Sequence, residues 1–361
     1  MSTFTVTVKT IRAIEVHPNA DTLEVAIVDG YRSIIRKGSL KPGDLIAYIP
    51  EAALLPDTVL ETLGMKGSSM FTGRDKNRVK AVRLRGVLSQ GLCYPVTDPS
   101  WVEGQDVAEI LGITKYMPTI PTNMRGYMWA IGLENAWNFD IENVKAHPDV
   151  LQEGENVVYT EKVHGTFTVI AHVPGSPLVV SSKGLFARGL AFSDVPENVF
   201  NLYVRVSKHW EMTERLAKAF DAGAFPKDTA VYILGETYGC QDLKYGCSIQ
   251  RDTELGFRVF DIYVGQPNQG RYLNDAELDE ALKVLSIPRV PILYRGPHSQ
   301  DVMVQYTSGT ETVSGKGLHI REGIVISPAK EREHFGLGRV KLKSVSEDYL
   351  LRKDKNATEF E

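Results

Sequence analysis

The first part of the chain alternates apolar and polar residues over short stretches that turn signals separate. Residues 4–8 alternate apolar side chains with threonines, and the apolar run 23–28 is followed by an Asp-Gly pair, which favours a tight turn. Residues 58–63 have the composition of one short helix. Many short strands with an early helix predict a small β-barrel over residues 1–115.

A small barrel of this kind is typical of the OB-fold, which often presents a groove for nucleic-acid backbones. Residues 74–85 carry six basic side chains and one acid. On a strand that begins at Val82, Arg83 and Arg85 would share one face. We therefore predict an OB-fold nucleic-acid-binding module whose phosphate contacts come from Arg78, Lys80, Arg83 and Arg85. The alternative is a solvated strand face, because charge runs are common on surfaces.

Residues 116–130 have no clear periodicity. They combine Pro118, Pro121 and Gly126 with large apolar side chains, a composition typical of an irregular connection. We predict that this stretch links the first module to a second domain, which spans residues 131–361.

The second domain is expected to mix strands and helices. Residues 197–221 carry a broad apolar stripe at helical spacing and predict one long helix. Asn274 and Glu277 have the spacing of a capping box and predict a second helix over 275–285. Long apolar strands between such helices predict an α+β domain built on antiparallel sheet.

A lysine separates two apolar runs near the middle of the chain. Residues 157–160 and 167–171 are rich in β-branched and aromatic side chains, and Lys162 lies between them in a segment that contains Gly165. The pattern predicts two strands joined by a hairpin-like bend that presents one amine. The alternative is a solvated turn lysine, because most lysines are exposed.

Composition narrows the classes of function. The chain has 361 residues, of which 43% are hydrophobic and 24% charged, as in globular proteins of about two domains. Its net charge of −4 gives no general attraction to nucleic acid, so such binding requires a local basic surface. Three cysteines (Cys93, Cys240 and Cys247) predict neither a zinc cage nor a disulfide framework. The absence of a membrane-length apolar run and of a signal peptide predicts a cytoplasmic protein without membrane contact.

Six short motifs follow one another between residues 161 and 343. They are Lys162-Val163-His164-Gly165-Thr166, Ser182-Lys183-Gly184 with Arg188-Gly189, Leu234-Gly235-Glu236, Phe257-Arg258-Val259-Phe260-Asp261-Ile262, Arg321-Glu322-Gly323-Ile324-Val325-Ile326 and Val340-Lys341-Leu342-Lys343. In this order they resemble motifs I, Ia, III, IIIa, IV and V of the covalent nucleotidyltransferases, the superfamily of polynucleotide ligases and mRNA capping enzymes. The resemblance covers roughly half of the chain and implies an antiparallel-sheet, ATP-grasp-like ligase domain.

Two features place the chain within that superfamily. His164 stands where DNA ligases and capping enzymes usually have aspartate, and this form of motif I resembles the RNA ligase 2 branch. A barrel before the motifs is similar to the nick-sealing RNA ligases that have an N-terminal OB module. DNA ligases carry their OB-fold after motif V, whereas only 18 residues, 344–361, follow Lys343 here.

The resemblance implies an ATP-dependent RNA ligase that acts in RNA repair. Such an enzyme forms a lysine-AMP bond, transfers AMP to a 5′-phosphate of RNA or DNA, and joins that end to an RNA 3′-OH, here at nicks in duplexes. The implied partner is nicked duplex nucleic acid, with no obligate protein partner. The attacking lysine must be neutral, and nearby positive charge from Lys341 and Lys343, two apart on one strand face, lowers the pKa of an amine.

The resemblance also assigns the site residues. The implied catalytic residues are Lys162, Lys341, Lys343 and His164, although the sequence leaves open whether His164 contacts phosphate or orients a neighbour. The implied ATP-binding residues are Glu161, Lys162, Thr166, Lys183, Arg188, Glu236, Phe260, Glu322, Lys341 and Lys343. Phe260 would stack on adenine, and Lys183 is favoured over Arg188 for the basic role of motif Ia. The resemblance assigns Glu236 to the ribose hydroxyls or a metal, and Glu322 to a metal near the phosphates. The implied metal is Mg²⁺ or Mn²⁺, which prefer oxygen donors.

Two alternatives stay open at the level of the sequence. One is a DNA ligase or a capping-type nucleotidyltransferase, which nucleotide choice and the need for an RNA 3′-OH would distinguish. The other is a non-catalytic RNA-binding protein that retains the fold. A non-catalytic protein would not need the full set of site residues. The chain has the proposed nucleophile, both glutamates and both lysines of motif V, which argues against this alternative.

Overall fold

The chain folds into two compact units, each of which draws on separate stretches of sequence. The first unit combines residues 1–118, 141–149 and 347–361, and the second combines residues 119–140 and 150–346. The computed structural model describes residues 4–68, 71, 77–117, 122–241, 243–247 and 255–352. Several residues named above lie outside the described residues, namely Arg74, Asp75 and Lys76 of the basic stretch and Pro118 and Pro121 of the expected linker.

The first unit is built mainly from short antiparallel strands. Its strands are β1 (Thr7–Thr10), β2 (Ala13–Val16), β3 (Leu23–Val28), β4 (Tyr31–Arg36), β5 (Leu45–Ile49), β6 (Ala53–Leu54), β7 (Val82–Leu84), β8 (Val87–Ser89), β9 (Leu92–Pro95), β10 (Thr114–Lys115) and β12 (Glu142–Asn143). Its helices are α1 (Asp57–Thr62), α7 (Glu347–Leu350) and a 3-10 turn at Val144–Ala146. The sheets run β1-β5-β9 and β2-β3-β4, with β6 paired to β10 and β7 to β8. The predicted short strands and early helix are confirmed.

Strand β5 lies at the centre of the first unit. Ala47 and Ile49 pack into one apolar cluster, whereas Ile46 and Tyr48 pack into another. This alternation follows the two-residue period of a strand. Both faces of β5 are therefore covered by apolar side chains.

The second unit contains two large antiparallel sheets, two two-stranded sheets and five helices that the structure describes. Its strands are β11 (Met128–Ala130), β13 (Asn156–Glu161), β14 (Thr166–His172), β15 (Val179–Ser182), β16 (Leu190–Phe192), β17 (Val231–Tyr238), β18 (Gly256–Val264), β19 (Arg271–Tyr272), β20 (Ile292–Pro297), β21 (Gly323–Pro328), β22 (Glu333–His334), β23 (Gly338–Arg339) and β24 (Leu342–Val345). Its helices are α2 (Lys183–Phe186), α3 (Leu202–His209), α4 (Met212–Asp221), α5 (Asp275–Leu285) and α6 (Gln300–Thr307), with 3-10 turns at Thr122–Met124, Leu133–Asn135 and Pro196–Asn198.

The second unit is organised around two large sheets, and helices cover one face of the second of them. Sheet 1 places β24, β21, β13 and β20 side by side, and sheet 2 has the order β15-β14-β17-β18-β19. Helices α3, α4 and α5 pack with sheet 2, where Val231 and Ile233 of β17 join the helix-covered core. Because side chains alternate along a strand, Tyr232, Leu234 and Glu236 face the opposite side of the sheet.

The long helix predicted over 197–221 is interrupted, so that prediction is wrong in its continuity. Helix α3 ends at His209, and α4 begins at Met212. Glu211 between them has a φ of 47°, a left-handed conformation that cannot continue a right-handed helix. The predicted helix over 275–285 is confirmed as α5, and the Asn274–Glu277 capping box is present.

In the part of the chain that the structure describes, none of the helices is long and apolar enough to cross a membrane.

Candidate active site

Lys162 lies in the connection between the two sheets of the second unit. β13 is flanked by β20 and β21 in sheet 1, and β14 is flanked by β15 and β17 in sheet 2. Both edges of each strand are therefore occupied, and β13 and β14 do not pair with each other. The predicted hairpin-like bend is wrong, since the segment 162–165 crosses from one sheet to the other. This crossing places Lys162 where both sheets contribute side chains.

Two glycines allow the close approach of backbones around this crossing. A Cβ on Gly165 would lie 2.2 Å from the Thr237 carbonyl oxygen, so any other residue would collide with β17. A Cβ on Gly323 would lie 2.1 Å from the Ser344 carbonyl oxygen, which keeps β21 close to β24. The Gly323 carbonyl oxygen in turn accepts a hydrogen bond of 3.0 Å from the Lys162 backbone N–H.

Glu322 binds the side chains of both Lys162 and His164. The Lys162 ammonium donates to Glu322 Oε1, and His164 Nδ1 lies 3.3 Å from Glu322 Oε2. Burial alone would raise the pKa of Glu322, but the Lys162 ammonium and His164 together hold that pKa at about 2. The Glu322 carboxylate is therefore ionised at neutral pH, and it contacts the side chains of both Lys162 and His164.

Glu236 approaches the same place from sheet 2. Its Cγ lies 3.1 Å from the position that a Cβ on Gly165 would take, which puts it beside the connection. Burial raises the pKa of Glu236 to about 8, and Lys162 opposes this shift only in part, while the Glu322 charge adds to it. Two carboxyl groups thus lie near one lysine, and Glu236 retains its proton more readily than an ordinary glutamate.

Phe260 lies at a bulge in β18. Val259 pairs with Gly235 and Asp261 with Leu234, which leaves Phe260 as the extra residue. Val259 and Ile262 belong to the helix-covered core, whereas Phe260 packs its ring 5.4 Å from Phe167 and 5.7 Å from Phe139. The bulge therefore keeps a partly exposed aromatic ring outside that core, within an aromatic cluster of the second unit.

The two lysines of motif V are buried rather than solvated. Lys341 and Lys343 are 8% and 1% exposed. The Lys341 ammonium lies 2.9 Å from each carboxylate oxygen of Asp261. Burial lowers the pKa of Lys341, and Asp261 opposes that shift. Lys343 lies on β24, paired with Val325 of β21.

Asp261 also binds Arg339, which completes a buried ionic network. The guanidinium donates to both Asp261 oxygens at 2.8 and 2.9 Å, and it also binds Glu331. The Arg339 guanidinium stacks 3.5 Å from the Tyr272 ring centroid. Asp261 is thereby held between two cations, and it fixes the position of the Lys341 side chain.

Lys183 and Arg188, the two basic candidates of motif Ia, differ in their surroundings. Lys183 is the first residue of α2, and its ammonium lies 3.3 Å from Asp140 Oδ1. Arg188 is exposed in the turn after α2. The geometry thus holds Lys183 in place through a carboxylate.

Glu161 and Thr166 make contacts that flank the connection. Glu161 Oε2 accepts from the Thr312 N–H at 2.7 Å and from its hydroxyl at 2.6 Å, and burial raises the pKa of Glu161. The Thr166 hydroxyl lies 2.9 Å from the Tyr203 hydroxyl. Glu161 therefore binds Thr312, and Thr166 binds the Tyr203 side chain.

The basic residues of the first unit do not form one strand face. Arg83 is exposed on β7, but Arg85 has a φ of 45° and, with Gly86, forms the turn to β8. The expectation that Arg83 and Arg85 share a strand face is therefore wrong, because the Arg-Gly pair adopts the positive φ angles of a two-residue hairpin turn. Arg78 is buried, with its guanidinium 4.2 Å from the Tyr116 ring centroid. Lys80 is partly buried.

The donor chemistry of the site fits a divalent cation. Within the described residues, no group of three or more His, Cys, Asp or Glu side chains has the arrangement of a metal cage. Glu236 and Glu322 nevertheless provide two carboxyl groups near the Lys162 amine. Mg²⁺ characteristically binds one or two carboxylates and completes its shell with phosphate and water.

Sequence reasoning missed several residues that hold the site together. These are Phe139, Asp140, Gln241, Tyr245, Asp261 and Arg339. Asp261 had a signal in the sequence, because a charged residue inside an apolar strand requires a partner when it is buried. The others lie far along the chain from the residues they contact, and nothing in local periodicity indicates those contacts.

Two sheets that meet at a lysine, with buried carboxylates and lysines from adjacent strands, define a nucleotidyltransferase-type ligase domain. A family model described as RNA ligase matches residues 155–345, which is more than half of the chain. The chain therefore belongs to the RNA ligase family, whose members are polynucleotide ligases. A model of an OB-fold domain matches residues 5–96, which confirms the OB-fold predicted for the first unit.

Solved structures of an RNA ligase from Naegleria gruberi share the fold of this chain. A substituted form with ATP and Mn is 23% identical, covers 95% of this chain and 97% of its own, and has a TM-score of 0.76. The same ligase with PPi has the same identity, coverage and TM-score, and a substituted form with AMP and Mn is 24% identical over the same shares with a TM-score of 0.75. Comparison with curated protein sequences gives no match.

Proposed function

We propose that this chain is an ATP-dependent RNA ligase in which Lys162 forms a covalent bond to AMP. The observation that carries the proposal is the contact of the Lys162 amine with Glu322, at a crossing between two sheets that also brings in His164 and Glu236. The resemblance of residues 162–166 to motif I of the covalent nucleotidyltransferases implies that Lys162 is the nucleophile. The relatives solved with ATP, AMP and PPi support the choice of nucleotide.

The proposed reaction has three transfers. In the first, Lys162 Nζ attacks the α-phosphorus of ATP, a P–N bond forms, pyrophosphate leaves and the amine gives up its proton. In the second, an oxygen of a nucleic-acid 5′-phosphate attacks the same phosphorus and releases the lysine. In the third, an RNA 3′-OH attacks the activated 5′-phosphate, a phosphodiester forms and AMP leaves.

The first transfer needs a neutral amine, although the ordinary pKa of lysine is about 10.4. Glu322 holds the charged form of Lys162 in the free protein, so loss of that contact favours the neutral nucleophile. Lys341 and Lys343 add buried positive charge that stabilises the oxygens of the α-phosphate as negative charge develops. Mg²⁺ or Mn²⁺ held by Glu236 and Glu322 would neutralise phosphate oxygens.

The remaining site residues would bind the nucleoside. Phe260 presents a partly exposed ring for adenine, because stacking on a planar base needs an aromatic face. Lys183, held by Asp140, is the proposed motif Ia cation, and Arg188 is its exposed alternative. Glu161 and Thr166 would frame the base and the turn.

We also propose that residues 1–115, which form most of the first unit, bind a nicked duplex with an RNA 3′-OH. Residues 131–361 would perform the chemistry. An OB-fold and the exposed Arg83 on β7 support this division of labour. Removal of the first unit would therefore weaken sealing more than formation of lysine-AMP.

The lysine-AMP step is tested by incubating the protein with ATP labelled at the α-phosphate and a divalent metal, followed by denaturation. We expect label on the wild-type chain and none on Lys162→Ala, because a methyl group cannot attack phosphorus. Lys208→Ala, an exposed lysine on α3, is the matched control and should label like the wild type.

Retained label on Lys162→Ala would remove the assignment of the nucleophile. Absence of label on the wild type with ATP, GTP or NAD would instead favour a non-catalytic RNA-binding protein. Preference for GTP would favour a capping-type enzyme.

A further inference from the structure

The connection that carries Lys162 is held by a loop that follows β17. The part of this loop that concerns us, here called the clip, comprises Gln241 and residues 243–247. Gln241 donates from its side-chain amide to the Gly165 carbonyl oxygen. The Tyr245 hydroxyl accepts a hydrogen bond of 2.7 Å from the His164 backbone N–H. The clip therefore binds the two peptide groups that flank the His164–Gly165 peptide, through the His164 N–H on one side and the Gly165 carbonyl oxygen on the other.

Tyr245 is itself firmly placed. It is 4% exposed, its ring meets His319 edge to face at 4.4 Å, and it meets Tyr238 at 5.3 Å. Its φ of 53° is a left-handed conformation that an aromatic residue rarely adopts. Such strain persists only where the surroundings fix it, and it is characteristic of functional sites.

The crossing segment needs this support because it has no strand partner of its own between β13 and β14. The Lys162 N–H is bound by Gly323, but the next peptide groups leave sheet 1 before β14 begins at Thr166. A buried backbone N–H without a partner is unfavourable, so the Tyr245 hydroxyl defines where the His164 peptide lies. His164 is two residues from the nucleophile, and its side chain reaches Glu322.

We infer that Tyr245 and Gln241 are positioning residues for the lysine nucleophile, which act through the backbone of His164 and Gly165 rather than by touching ATP. The inference rests on the proposed function, since it assumes that Lys162 attacks ATP. The inference predicts different effects on the three transfers. Lys162 bonds to AMP in the first transfer and is the leaving group in the second, whereas the third transfer does not use the amine.

The test is to measure each transfer in Tyr245→Phe, which deletes the accepting oxygen and keeps the ring. With saturating labelled ATP we expect the rate of lysine-AMP formation to fall about tenfold, with the KM for ATP unchanged within about twofold. Sealing of a nicked duplex whose 5′-phosphate already carries AMP should stay within about twofold of wild type. A residue that merely stabilises the fold would lower all three transfers together.

Tyr238→Phe is the matched control, because Tyr238 is also buried and its hydroxyl faces Arg258 instead of motif I. It should leave lysine-AMP formation unchanged. Gln241→Leu is a second test variant should Tyr245→Phe fail to fold, and it should show the same step-selective loss. The thermal unfolding midpoint of each variant checks that the chain is folded.

An unchanged rate of lysine-AMP formation in both test variants would overturn the inference, and so would an equal loss in sealing of the pre-adenylylated nick. A failure of the proposed function is read separately from the wild type alone. If the wild-type chain takes no label, the lysine mechanism and the inference both fall.

Discussion

Asp261 is the residue whose importance the sequence least reveals. It lies inside a motif that draws attention to its neighbour Phe260, yet it is 2% exposed and binds two cations, Arg339 and Lys341. Burial alone would raise the pKa of Asp261, but the Arg339 guanidinium and the Lys341 ammonium hold that pKa at about 2. Asp261 thus stabilises the second unit and also fixes the position of Lys341, a proposed catalytic residue.

We expect Asp261→Asn to lower the free energy of unfolding at pH 7 by about 3–5 kcal/mol, because removing one partner leaves buried cations uncompensated. An Asp with a folded pKa below its unfolded value of about 3.9 contributes stability above that pH. The contribution is lost as the pH falls towards the folded pKa of about 2. The difference in the free energy of unfolding between wild type and variant should therefore become smaller at acidic pH. Urea unfolding at pH 7 and at acidic pH measures it.

The control for this prediction is Glu280→Gln, which breaks the exposed Glu280–Lys283 pair on α5. Exposed pairs contribute little, so its effect should stay within about 1 kcal/mol. A difference between wild type and Asp261→Asn that stays constant from neutral to acidic pH would contradict the ionic explanation.

At the scale of elements, local sequence patterns predicted most of what the structure contains. Alternation predicted the strands on either side of Lys162, and the Asn274–Glu277 spacing predicted α5 with its cap. The same patterns do not report which sheet a strand joins, so the crossing at Lys162 was taken for a hairpin. They also miss the bulge at Phe260, because one extra residue leaves the apolar character of β18 unchanged.

The site shows the same limit. The order of motifs predicted that Lys162, Glu236, Glu322 and Lys341 form one site. In the structure the Lys162 ammonium binds Glu322, whereas the Lys341 ammonium binds Asp261. Contacts made by loops, such as that of Tyr245 with His164, depend on distant chain segments. The spacing of residues in a single sequence does not predict those contacts.

The interruption between α3 and α4 leads to a prediction about stability. Glu211→Gly should raise the free energy of unfolding by about 0.5 kcal/mol, because a left-handed conformation costs an ordinary residue more than the flexibility that glycine adds to the unfolded chain. Glu214→Gly, the same change within α4, is the matched control and should lower it by about 1 kcal/mol. Urea unfolding of both variants measures the two values, and a lower stability for Glu211→Gly would contradict the strain at Glu211.

At the scale of the whole molecule, the first unit is not a simple N-terminal module. Residues 141–149 return to it, and Lys145 is bound there through its carbonyl oxygen to the Gly30 N–H at 2.9 Å and through its ammonium to Gln90 Oε1 at 2.5 Å. A Cβ on Gly30 would lie 2.8 Å from the Lys145 Cα. Removal of residues 1–115 would strip the partners from this returning segment, so a point substitution tests the division of labour more cleanly.

We therefore predict that Arg83→Glu weakens sealing of a nicked duplex with an RNA 3′-OH and leaves lysine-AMP formation unchanged. Arg83 is exposed on β7, and loss of one phosphate contact should weaken binding at every sequence and reduce the salt dependence of binding by about one unit of slope. Lys41→Glu changes the net charge equally at another exposed position of the first unit, and it should have the smaller effect. Binding is measured over a series of salt concentrations, and the two transfers are measured separately. Equal loss of lysine-AMP formation and sealing in Arg83→Glu would assign the first unit a part in the chemistry, because substrate binding alone cannot slow a step that precedes it.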